Sequence, residues 1–171
     1  MLAEAGYIGE ALYLFGAEAK LYGIQDYRRE TSFLYKNRKE FRKRIKSGLI
    51  EARKILGNLK NQFIIGYCFG GAAVLKTARS GEEMTGFVSF HGGLKTPEGQ
   101  NYSETPGAIL ILHGSVDPVS GMDDVTNLVK ELNDFELQHE VHIYGGVRHS
   151  FTIKGSRDYL KKAEKSHGMH C

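Results

Sequence analysis

Phe63-Ile64-Ile65-Gly66-Tyr67-Cys68-Phe69-Gly70-Gly71 constrains this chain more than any other stretch, because it commits a strand to become a helix within one turn. β-prone residues precede Gly66, and the helix-compatible run Ala72-Ala73-Val74-Leu75 follows Gly71. Gly-x-Cys-x-Gly between them is the pattern of a sharp turn that presents its central residue at the tip. Glycine is expected on both sides of Cys68, because a side chain two positions away would collide with neighbouring backbone in so tight a turn. Cys68 would then be a thiol at a helix start, where the helix dipole favours thiolate. The pentad alone is equally compatible with a buried cysteine in an ordinary glycine-rich turn. Its meaning depends on what lies downstream.

Two later segments supply partners. The apolar run Ala108–Leu112 leads into His113-Gly114-Ser115-Val116-Asp117-Pro118, which puts an acid in the loop beyond a buried strand. Val141-His142-Ile143-Tyr144 alternates like a strand, breaks at Gly145-Gly146, and is followed by His149 in a loop. Singly, Asp117 before proline reads as a turn former and His149 as a loop histidine. Jointly they give the chain order Cys68, Asp117, His149: nucleophile, acid, base, as in α/β-hydrolases. In that arrangement His149 takes the proton from a thiol whose ordinary pKa of about 8.5 leaves little thiolate at neutral pH. Asp117 holds the imidazole in the right tautomer. The backbone N–H of Phe69 forms one half of an oxyanion hole. Acyl transfer to water is the reaction class expected.

Three segments, Gly66–Gly71, His113–Pro118 and Tyr144–Phe151, resemble the signature segments of the dienelactone hydrolase family. The similarity runs from Ala3-Glu4-Ala5-Gly6-Tyr7 to about Tyr159, and the cysteine at the turn makes it specific. The resemblance implies a cytoplasmic, cofactor-free α/β-hydrolase that opens lactones and related esters with a Cys-Asp-His triad on a small-molecule substrate. It also implies about three further strands upstream of Ile8–Phe15, so the chain is expected to be one domain, 1–171, incomplete at its N-terminus. The second oxyanion donor and an activating glutamate of the family would lie before Met1. Neither family arginine that clamps a substrate carboxylate has a counterpart, near Ala17 or at Ile153. A neutral ester or thioester is therefore expected in place of an acidic lactone, and no substrate-binding residue is assigned.

The remaining pattern alternates strand and helix. Strands are predicted at Ile8–Phe15, Gln62–Tyr67, Gly86–His91, Ala108–Leu112 and Glu140–Tyr144. Helices are predicted at Lys39–Leu56, Gly71–Ala78, Asp123–Leu132 and Arg157–Ser166. The first helix repeats Phe41, Ile45, Leu49, Ala52 and Leu56 at steps of three or four. Strands that are apolar on both faces suit a mostly parallel sheet of about five strands covered by helices, an α/β-hydrolase-like architecture.

Other functions fit less well. Lys36–Lys46 holds seven basic residues and one acid, but Phe41 and Ile45 mark one apolar face, so the charges describe a solvated helix surface and no nucleic-acid partner is expected. No apolar run approaches the ~18 residues needed to span a bilayer. Two cysteines, one at the turn and Cys171 at the end, make no disulfide framework, so a reducing cytoplasm is expected. His167-Gly168-Met169-His170-Cys171 carries soft metal donors without the second shell that fixes a site. His91, before Gly92-Gly93, is assigned a structural role. No metal or cofactor is expected, and an open sheet edge would permit self-association. The alternatives are a catalytically weak relative that binds partners, and a redox-sensing thiol.

Overall fold

In the computed structural model the described residues are 4–16, 18–57 and 59–161. They pack as two compact units, residues 1–60 and 61–171. The first is helical. α1 spans Ile24–Lys36 and α2 spans Arg38–Leu56, separated at Asn37, whose backbone leaves the helical region (φ −104°, ψ 69°). The basic run of residues 36–46 thus contains a helix boundary. Asn37 donates both its backbone N–H and its side-chain amide to Phe33 O, closing α1. Phe41, Ile45 and Leu49 are buried along one face of α2, as their spacing predicts.

The strand expected at Ile8–Phe15 does not form; the segment is irregular, with a turn at residues 14–15. A strand needs a neighbour to satisfy its backbone, and this unit offers helices. Arg44 on α2 meets that need instead, donating from Nη1 to Leu14 O at 3.3 Å and Phe15 O at 3.0 Å. The sheet consequently has four strands among the described residues, not five. Of the helix expected at 157–166, residues 157–160 are turn or irregular. Residues 162–166, like Ala17 and the tail donors at 167–171, lie outside the described residues.

The second unit carries the sheet. β1 (Phe63–Tyr67), β2 (Gly86–Phe90), β3 (Ala108–Gly114) and β4 (His139–Tyr144) lie in the order β1-β2-β3-β4, all parallel. α3 (Phe69–Ala78) connects β1 to β2 and α4 (Met122–Asp134) connects β3 to β4, whereas β2 reaches β3 without a helix. Central strands β2 and β3 are buried at most positions, while the outer strands β1 and β4 are mostly half-buried or exposed. That contrast is what a sheet covered on both faces requires. α3 is buried around its whole circumference from Gly71 to Ala78, which explains its apolar composition. Parallel strands put all their C-terminal ends on one edge. Cys68, His91, Asp117 and His149 follow the ends of β1, β2, β3 and β4 respectively.

Candidate active site

Cys68 sits between the end of β1 and the start of α3 with φ 52° and ψ −117°. Two close approaches shape this turn. A Cβ on Gly66 would lie 2.2 Å from Gly70 O, and one on Gly71 would lie 2.7 Å from Ser89 Oγ and 2.9 Å from Gly92 Cα. Gly70 is different: a Cβ there meets nothing within 4 Å. The glycine requirement expected on both sides of Cys68 therefore holds at Gly66 and, on the helix side, belongs to Gly71.

Positive φ is uncommon away from glycine. Among the described residues four others adopt it: Cys68, His91 (38°), Ser150 (61°) and Glu136 (53°). The first three meet at one point. Sγ of Cys68 is 3.4 Å from His91 Nδ1 and 3.6 Å from Ser150 Oγ. Backbone strain of this kind is retained where surrounding structure over-determines it, commonly at functional sites.

Asp117 is almost fully buried and uses its two oxygens differently. Oδ1 accepts the Val119 N–H at 2.8 Å, closing the turn that the sequence anticipates before Pro118. Oδ2 lies 2.8 Å from His149 Nδ1. Burial pushes the Asp117 carboxyl up, but hydrogen bonds from His149 and the Val119 amide outweigh it and hold it below the usual range. His113 caps the same loop, with Nε2 2.8 Å from Ser120 O.

The loop carrying His149 is anchored at both ends. Ser115 N–H donates to Tyr144 O at 2.9 Å, Val116 N–H to Val147 O at 3.1 Å, and Gly146 N–H to Ser115 Oγ at 2.8 Å. Val147 and the fully buried Phe151 pack with Phe90 and Leu112 in one apolar cluster. The imidazole between these anchors has little freedom. Its partner Asp117 raises His149 to about 9, with the Cys68 hydrogen bond adding to the effect. Burial pushes the Cys68 thiol up, but the hydrogen bonds it makes, that to His149 the strongest, together outweigh burial, and it settles at about 6. The two groups favour thiolate and imidazolium at neutral pH.

The structure thus brings together the three side chains the sequence singles out. Sγ of Cys68 and ring nitrogens of His91 and His149 lie within 4.8 Å of one another. It also adds two residues. His91, assigned a structural role from sequence, is fully buried against the thiol, with Nε2 2.8 Å from Thr152 Oγ1. Ser150, unassigned, touches the sulfur. The only sequence signal for either was position: His91 ends a strand before Gly92-Gly93, and Ser150 follows His149.

Comparison with known proteins bears on the family and the fold. Residues 1–169 match the dienelactone hydrolase family. A dienelactone hydrolase-like promiscuous phosphotriesterase from metagenomic libraries superposes with a TM-score of 0.84 at 27% identity, over 96% of this chain and 72% of that one. The solved structure named m3DLH gives 0.74 at 24% identity, over 90% and 67%. Esterase PE8 gives 0.58 at 18% identity, over 90% and 67%. The last two speak for the fold alone. No curated protein matches the chain.

Proposed function

The chain belongs to the dienelactone hydrolase family, and on that premise we propose that it cleaves an ester, lactone or thioester by cysteine-dependent acyl transfer to water. Cys68 is the nucleophile, His149 the base and Asp117 the residue that orients it. One observation carries the reading: a buried carboxylate 2.8 Å from His149 Nδ1 turns the other ring nitrogen toward a thiol already held at about 6.

The Cys68 thiolate attacks the substrate carbonyl carbon, forming a C–S bond and a tetrahedral oxyanion. The Phe69 N–H, in the first turn of α3, faces that oxyanion. As the intermediate collapses the C–O bond (C–S in a thioester) breaks, and His149 gives its Nε2 proton to the leaving group. Neutral His149 then takes a proton from water, hydroxide adds to the acyl-thioester, and the C–S bond breaks to release the acid. Thiolate and imidazolium are restored. Ile153 is 41% exposed where the family resemblance would place an arginine, which favours uncharged substrates. A free, activated thiol also suits a reducing compartment such as the cytoplasm.

The test is hydrolysis of p-nitrophenyl acetate by the unmodified chain, Cys68→Ala and His149→Ala, with loss of more than about 10³-fold expected in both variants. A neutral phosphotriester is the second substrate to assay, given the named activity of the 27%-identical neighbour. Equal rates in all three proteins would refute the reading and favour a binding protein.

A further inference from the structure

The surroundings of Cys68 hold more donors than one nucleophile and one base require. Nδ1 of His149 is taken by Asp117, which leaves Nε2 for the sulfur. Nε2 of His91 is taken by Thr152, which leaves Nδ1 3.4 Å from Sγ. The Cys68 backbone N–H reaches the same Nδ1 at 3.3 Å. An amide only donates, so this nitrogen presents a lone pair. The sulfur and that lone pair therefore face one small volume 3.4 Å apart, a setting that suits a bridging cation.

We propose that Cys68, His91 and His149 form a three-ligand site for a thiophilic divalent cation of the Zn²⁺ type, and that its occupancy reversibly blocks the thiol. One thiolate and two imidazoles are a donor set that zinc prefers. Zn–S of about 2.3 Å and Zn–N of about 2.0–2.1 Å separate a sulfur and a nitrogen along a tetrahedral edge by about 3.5–3.6 Å. The Cys68–His91 pair already stands at 3.4 Å. The His149 nitrogen lies within 4.8 Å of both. The second shell is in place: each imidazole has its other nitrogen 2.8 Å from an oxygen, of Asp117 or Thr152, which fixes the ring and the tautomer. The Cys68 amide loses nothing when Nδ1 turns to metal, since it also reaches Phe90 O at 3.1 Å. The fourth tetrahedral position is left to water. Binding releases one proton, from the thiol if Cys68 is neutral or from His149 Nε2 if the pair is ionised. No electron moves. The site follows from the geometry of three side chains and does not depend on the chain being a hydrolase.

The test titrates the full chain, in a His167→Ala, His170→Ala, Cys171→Ser background that removes the imidazole and thiol donors of the tail, with Zn²⁺ by calorimetry and with Co²⁺ by absorption. One equivalent is expected to bind, Co²⁺ to give tetrahedral visible bands with a thiolate charge-transfer band, and Zn²⁺ to protect Cys68 from iodoacetamide. Adding Cys68→Ala or His91→Gln should weaken binding more than about tenfold, and Asp117→Asn by about 10–100-fold, as second-shell losses do. His142→Ala, away from the cluster, should change nothing. Should His91→Gln fail to fold, the charge-transfer band and the alkylation protection decide without it. Binding lost with the tail donors, or retained without Cys68, overturns the proposal. Esterase activity without metal binding would refute this site alone, and metal binding without esterase activity would refute only the hydrolase reading.

Discussion

Asp117 divides one carboxylate between two tasks, and the division sets the pH behaviour expected of the site. Oδ1 closes a turn on Val119 and Oδ2 holds His149. The thiol ionises as pH rises through about 6, and the imidazolium is lost as pH rises through about 9. Both charged forms coexist only between these values, so kcat/KM should climb through the first, hold a plateau, and fall through the second. Asp117→Asn removes the largest influence raising His149. Its upper limb should therefore move down toward the ordinary histidine value of about 6.5. The rate at neutral pH should fall on the order of 10⁴-fold, as when the orienting carboxylate of a serine triad becomes an amide. A pH–rate profile of both proteins checks the sign. An unmoved upper limb would mean that another group controls the descending arm.

At the scale of elements, the β1–α3 turn was the most legible part of the sequence, and one of its glycines was misread. Spacing alone treats Gly66 and Gly70 as equivalent. Packing separates them, because it is Gly71, one residue further on, that meets the backbone leaving β2 at Gly92. No pattern within residues 63–75 encodes that neighbour, since it comes from another strand. The consequence is measurable. Gly71→Ala forces a Cβ to within 2.9 Å of Gly92 Cα and should lower stability by about 1–3 kcal/mol or more, as overpacking does. Gly70→Ala meets open space in a helix and should be neutral or stabilising by up to about 1 kcal/mol. Thermal denaturation of the two variants distinguishes them; equal losses would show that both glycines are needed. The misassigned strand at Ile8–Phe15 has a related cause. Its apolar residues promise a strand, but a strand is defined by its ladder partner, and here Arg44 takes the two carbonyls at its end. α1 was missed because its residues 24–36 bury little beyond Leu34, so no clear apolar stripe marks them.

Across the whole sheet, chain order foretold which residues lie at strand ends, but not which ends are neighbours. Cys68, Asp117 and His149 were recoverable because each follows a recognisable strand in a known order. His91 was not, because its approach to the thiol follows from β2 lying beside β1, with Phe90 opposite Tyr67 in the register. The same adjacency supplies the support for the base. Phe151 is buried against Phe90 of β2 and Leu112 of β3, two residues beyond His149, so the central strands hold the loop that carries the imidazole. Phe151→Ala should cost about 3–5 kcal/mol in stability. Its effect on catalysis should be separable, because Cys68 and its turn belong to β1 and α3 and keep their own packing. Measured well below the lowered melting temperature, the folded variant should lose kcat while its thiol remains open to alkylation by iodoacetamide. The thiol should also react with a midpoint moved up from about 6, since the hydrogen bond from a loosened His149 is the chief influence holding it down. An unaltered kcat and midpoint in the folded variant would show that the Asp117 contact positions His149 without the apolar anchor.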